Sequence, residues 1–163
     1  MSAVLVLAWG NPSRGDDALG PELAARLEAS GAAAGVAEIL TDFQLQPEHA
    51  TDLDGRTLVL FVDASTSCPP PFAFSRVAAV RDASFSSHAM SPAALLAAYE
   101  VVFGRAAPPA YVLAIRGDCF ELGEPIGEGP RQSLDAAAAF ALRLLGEPDP
   151  MAWDRLAART TPS

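Results

Sequence analysis

Two continuous apolar runs stand out in the hydrophobic pattern of the chain. Residues 3–9 (AVLVLAW) and 57–64 (TLVLFVDA) have strand length and no alternation, as expected of strands buried on both faces of a parallel sheet. Between them, residues 20–30 (GPELAARLEAS) read as a helix, with Pro21 at its first position and Leu23 and Leu27 on one face. Residues 36–41 (VAEILT) form a second strand, and 46–53 (QPEHATDL) a short helix.

After the run that ends at Asp63, residues 72–80 (FAFSRVAAV) read as a fourth strand. Only STSCPPP separates it from the third, whereas a parallel return needs a crossover of about a dozen residues or more. The fourth strand is therefore predicted to be antiparallel and at an edge, which its Pro-rich approach and Arg76 also suit. A helix over 91–104 follows, with Ser91 as N-cap, Pro92 at its first position and Gly104 at its stop. Residues 110–117 (AYVLAIRG) give the fifth strand and 129–147 the last helix. The β-α-β-α-β start predicts a three-layer α/β fold: a five-stranded, mostly parallel twisted sheet with one antiparallel edge strand and helices on both faces. Residues 1–147 are expected to be one domain. The Pro-broken segment 148–163, short of apolar residues, is expected to be a flexible tail, with Trp153 as its candidate docking residue.

Composition narrows the function classes. At 163 residues the chain suits one domain with a sizeable core. No apolar run approaches the roughly 18 residues of a membrane span, and the N-terminus lacks a basic region followed by a long apolar one. A soluble, cytoplasmic protein is the expectation. The net charge is −9 and all 11 basic residues are Arg. That argues against a nucleic-acid surface and removes any mechanism that needs a lysine. Cys68 and Cys119 fit no paired motif and are expected to be reduced thiols.

The candidate chemistry lies at strand ends. Ligands of open α/β sheets bind beyond the carboxyl ends of the strands, where the strand order reverses. If the second and third strands flank the first, that point carries Asp16 and Asp17 from the turn WGNPSRGDDALGP and Asp63 from the end of the third strand. His88 stands just ahead of a helix N-terminus in SFSSHAMSP. Two carboxylates and an imidazole make an open site for a borderline divalent ion such as zinc or nickel. Each residue also has a plain structural reading. Asp63 can cap a turn, Asp16 and Asp17 can complement a helix dipole, and His88 can bond within its loop. The dipole reading is favoured for Asp16. Asp42 is a turn residue or a support behind the ligands, and His49 is expected at the surface. Arg14 is either a solvated loop residue or a grip for a substrate carboxylate. Phe43, Leu45 and Met90 read as ordinary packing residues. The turn lacks the G-x-G-x-x-G and Walker patterns, its adjacent aspartates oppose an anion, and no G-x-S-x-G elbow occurs.

Four stretches together resemble the hydrogenase maturation proteases, the nickel-dependent processing endopeptidases of NiFe hydrogenases. They are GNPSRGDDALGPELAARL (10–27), QLQPEHA (44–50), LFVDAS (60–65) and SHAMSPAALLAAYEVVFG (87–104), with IRGDCFELGEPIGEG (115–129) adding to them. The resemblance runs from about residue 3 to 145. It implies metal ligands at Asp17, Asp63 and His88, which also carry the catalysis. Asp17 rather than Asp16 aligns as the ligand, because it is the second acidic residue of the G-N-x-x-x-G-D-D form. Asp16 and Asp42 stand as supporting positions. The usual D-G-G-type loop reads DFQLQPE here, which sets Asp42 apart, and Trp9 replaces the small or aliphatic residue common before G-N. The implied reaction removes a C-terminal extension from a hydrogenase large-subunit precursor after nickel insertion. The precursor presents the nickel, although zinc or another divalent ion also suits the ligands. The implied partner is that protein precursor, with no nucleic acid and no membrane. Two rivals carry different chemistry. A non-catalytic chaperone that binds nickel or precursor would keep the site without cleavage. A receiver-type phosphoacceptor domain would need a Lys after the fifth strand, where this chain has Arg116.

Overall fold

The two continuous apolar runs, β1 (Val4–Trp9) and β3 (Leu58–Ser65), lie side by side in the interior of a five-stranded sheet with the order β2-β1-β3-β5-β4. The computed structural model describes residues 2–81 and 90–160. β2 (Ala37–Asp42) pairs parallel with β1, and β5 (Ala110–Arg116) pairs parallel with β3. β4 (Phe72–Val77) runs antiparallel to β5 at the edge, as the short connection from β3 requires.

Strand alternation divides the apolar side chains between two cores. On one face Val4, Val6, Leu60 and Val62 pack against α1 (Leu19–Ser30), α4 (Glu128–Gly146) and α5 (Pro150–Thr160). On the other, Leu5, Leu7, Trp9, Val59 and Phe61 meet α2 (Ala50–Leu53) and α3 (Pro92–Phe103). The sheet is thus covered on both sides, and its central strands need no polar face. Chain direction diverges at β1 and β3: β1 leads through α1 to β2, and β3 leads away toward β4 and β5. Their carboxyl ends bound a crevice, the usual ligand position in such folds.

Three local findings differ from the sequence pattern. The chain turns helical before residue 20, in a 3-10 turn over Gly15–Ala18 that leads into α1. The fourth strand stops at Val77. Most of the segment expected to be a flexible tail is the helix α5, whose Trp153 is fully buried against Phe74 and Tyr111. Both cysteines are free thiols, Cys68 buried and Cys119 exposed. Among the described residues, no helix is long and apolar enough to cross a membrane.

Candidate active site

The turn after β1 folds back so that Asp17 returns to the strand end. Gly10 has φ +149°, and a Cβ there would sit 2.0 Å from the Asp17 carbonyl oxygen, so only glycine admits the approach. The Asn11 N–H donates to Asp17 Oδ2 at 2.8 Å, and the Asn11 side chain accepts the Ser13 N–H at 2.9 Å. The G-N pair thus builds the turn and aims the carboxylate. Gly20 does the same for the helix. A Cβ there would lie 2.6 Å from the Trp9 carbonyl oxygen and 3.2 Å from that of Val62, so α1 starts tight against the ends of β1 and β3.

Asp63 projects from β3 just past the last β1–β3 pair, Ala8 with Val62. Its Oδ1 accepts the Ala64 N–H at 2.8 Å. Burial, with help from the nearby Asp17 charge, pushes its pKa up to about 7 from the ordinary 3.8. The Ala64 N–H and the Trp9 indole oppose that rise by favouring the charged form. Among the described residues, no basic side chain forms an ion pair with Asp17 or Asp63. Two carboxylates that repel each other in a partly desolvated crevice gain from a shared cation. His88 lies outside the described residues, and the described residues alone hold no cluster of three metal-ligating side chains.

Asp16 departs from its expected role. Its carboxylate, 2% exposed, accepts the N–H groups of Asp118 at 2.7 Å, Cys119 at 2.9 Å and Gly127 at 2.9 Å. It therefore ties the turn after β1 to the loop after β5 instead of serving the start of α1. Such charge-assisted bonds satisfy a buried carboxylate in full.

No family model matches the sequence, and no curated protein sequence matches it. Solved structures do match the fold. One is a NiFe hydrogenase maturation protease, HycI, from Thermococcus kodakarensis KOD1, at 18% identity, with a TM-score of 0.69 over 90% of this chain and 94% of that one. Another is the hydrogenase maturating endopeptidase HybD from E. coli, at 20% identity and a TM-score of 0.69 over 91% and 94% of the two chains. A third is an endopeptidase from Escherichia coli, at 21% identity and the same TM-score and coverage. The chain has the fold of the hydrogenase maturation proteases.

On this maturation-protease fold the loop after β2 starts beside the end of β1, where the Gly10 N–H donates to the Asp42 carbonyl at 3.1 Å. Asp42 Oδ1 accepts the Phe43 N–H at 2.7 Å, and its Oδ2 lies 3.2 Å from His49 Nε2. His49 Nδ1 accepts the Gln46 N–H at 2.9 Å, which fixes the proton of the neutral ring on Nε2, facing Asp42. Asp42 thus shapes its own loop, without a hydrogen bond to Asp17 or Asp63. His49, expected at the surface, is mostly buried, with its side chain 11% exposed. Leu45 and Met90 pack as expected, but Phe43 is 69% exposed. Phe43 lines a cavity of about 290 Å³ with Gly10, Pro12, Pro21, Thr41 and Asp42. Arg14 is exposed, and its Nε donates to the Phe120 carbonyl at 3.3 Å. The Asp42–His49 pair was within reach of sequence reasoning, because Q-P-E-H places a histidine one turn after a potential cap.

Proposed function

We propose that the chain is a member of the NiFe hydrogenase maturation proteases, and that it removes the C-terminal extension of a hydrogenase large-subunit precursor in a nickel-dependent way. The observation that carries this reading is the Asp17–Asp63 pair. Two carboxylates without an ion-pair partner among the described residues meet at the β1/β3 crevice, on a fold shared with endopeptidases of hydrogenase maturation. The oxygen donors of Asp17 and Asp63, joined by an imidazole from His88, suit nickel and also zinc.

In this reading the precursor is the carrier of the metal. Nickel held by the precursor's cysteines docks against Asp17, Asp63 and His88, and so marks a precursor ready for trimming. Asp63 or its neighbour Asp17 accepts a proton from the attacking water. A metal at this position supplies polarisation of the scissile carbonyl or of that water. The cavity beside Phe43 offers room for precursor residues next to the cleavage point.

The test is trimming of purified precursor, with and without nickel, followed by mass spectrometry. Wild type is expected to cut only the nickel-loaded form. Asp17→Asn, Asp63→Asn and His88→Ala are each expected to slow cutting by about 100-fold or more. Trimming of the nickel-free precursor would remove the nickel dependence, and wild-type rates in His88→Ala would remove that ligand. Capture of the precursor without trimming would favour a chaperone on the same fold.

A further inference from the structure

We propose that Trp9 is a positioning residue whose indole N–H holds the Asp63 carboxylate in one orientation toward the metal-bearing substrate. The inference rests on the function proposed above and assigns a role to a residue outside the ligand set.

The sheet brings the two side chains together. Ala8 pairs with Val62, so the next step along both strands brings Trp9 level with Asp63, at the point where β1 ends and β3 continues. Trp9 packs with Leu5, Leu7, Val59 and Phe61 on the α2/α3 face. Strand alternation puts Asp63 on that same face, two residues beyond Phe61. The two are therefore cross-strand neighbours, within the reach of a large aromatic side chain.

The indole is held rigidly enough to serve as a reference. Trp9 is 8% exposed, and its ring meets Phe61 edge-on, with centroids 6.0 Å apart and planes at 75°. Its backbone is fixed by the close approach of Gly20 to its carbonyl. A buried tryptophan N–H normally finds an acceptor, and the Trp9 indole stands near enough to Asp63 to favour its charged form.

The consequence for Asp63 is orientational. A single donor, the Ala64 N–H on Oδ1, leaves a carboxylate free to turn about its Cβ–Cγ bond. A second donor, from a side chain locked in the core, sets the plane of the group. Catalytic geometry is sensitive to misplacements of about an ångström, so a freely turning carboxylate loses rate more than binding. Phenylalanine would fill much of the same space but has no N–H to donate.

Two substitutions isolate that N–H in the full-length protein. One is Trp9→Phe. The other places benzothienylalanine at position 9, which keeps the bicyclic shape and replaces the N–H with sulfur. Both are expected to keep the circular dichroism spectrum and a melting temperature within a few degrees of wild type. Both are expected to lower kcat for trimming of nickel-loaded precursor by about 10-fold, with KM unchanged. A second readout needs no activity. The chain has two indole N–H groups, from Trp9 and Trp153, and Trp153→Phe assigns their nitrogen–proton NMR signals. Asp63→Asn is expected to shift the Trp9 signal and to leave that of Trp153 in place. An unmoved Trp9 signal, or wild-type kcat in the sulfur analogue, overturns the proposal. The two levels fail separately. If wild type does not trim the precursor, the functional reading falls and the positioning role falls with it. If wild type trims and the analogue trims equally well, only the role of Trp9 falls.

Discussion

At the scale of single residues, Asp63 is the group whose environment has the most direct consequence. Its folded pKa of about 7 stands above the ordinary 3.8, chiefly because of burial. The folded protein therefore keeps a proton that the unfolded chain releases once pH exceeds about 4. Between about pH 4 and pH 7 this group makes the metal-free protein less stable as pH rises, by up to about 1.4 kcal/mol per pH unit. Asp63→Asn removes the titration. In the presence of a chelator the variant is expected to exceed wild type at pH 8 by on the order of 2–4 kcal/mol, and to match it near pH 4. Urea denaturation at the two pH values checks this, and parallel profiles for the two proteins would contradict it. The convergence of Asp17 and Asp63 was legible in the sequence because Asp63 closes one plainly apolar strand and Asp17 lies in the turn that follows another. The clamp made by Asp16 was not. Its partners are backbone N–H groups about a hundred residues further along the chain, and no local pattern announces them.

At the scale of elements, α5 shows what the apolar pattern missed and which signal was present. The segment reads as loose because prolines interrupt it and apolar residues are sparse. Yet Pro150 opens the helix, and Asp149 just before it accepts the Ala152 N–H at 3.2 Å, the arrangement of a capped helix start. One aromatic ring then anchors it. Trp153 packs against Phe74 and Tyr111, and its indole donates to the carbonyls of Leu144 and Glu147. Outside the core, Asp154 accepts from Tyr111 at 2.6 Å and from Arg76 at 2.9 Å. The Tyr111 hydrogen bond, helped by Arg76, holds the Asp154 carboxyl below its usual range, and burial together with Asp154 pushes the Tyr111 hydroxyl up. Trp153→Ala is expected to cost about 3–5 kcal/mol, as for other buried tryptophans. It is also expected to make the chain near residue 148 the first site of limited proteolysis. Denaturant melts and mass mapping of the fragments measure both. The helix over Pro92–Phe103 was the opposite case. Ser91 accepts the Ala94 N–H, and Gly104 takes φ +66°, so both ends follow their sequence signals.

At the scale of the whole molecule, the reversed edge strand was foreseeable, whereas the flanking of the first strand by the second and third entered only as a condition. Chain connectivity allows few ways to arrange five strands with these crossover lengths. What connectivity could not supply is the electrostatic state of the crevice. A protein of net charge −9 that also brings two carboxylates together stores repulsion, which a divalent cation relieves. Nickel or zinc salts are therefore expected to raise the melting temperature of the metal-free protein at pH 7. The stabilisation is about 2.7 kcal/mol when the metal is at a hundredfold excess over its dissociation constant. The double variant Asp17→Asn/Asp63→Asn should lose that shift. A wild-type melting curve unmoved by either metal would contradict the cation reading of the pair.

The Asp16 clamp has one more consequence, for how such a protein can diversify. Three hydrogen bonds from one buried carboxylate join the turn after β1 to the loop after β5. Neither can lengthen, shorten or tilt without disturbing the other, so that side of the crevice behaves as a single rigid jaw. The loop after β2 carries its own local ties through Asp42, Gln46 and His49, and it presents Phe43 outward. Change of sequence is thus most accessible at Phe43 and Gln44, both exposed, where a new side chain leaves the jaw that carries Asp17 undisturbed.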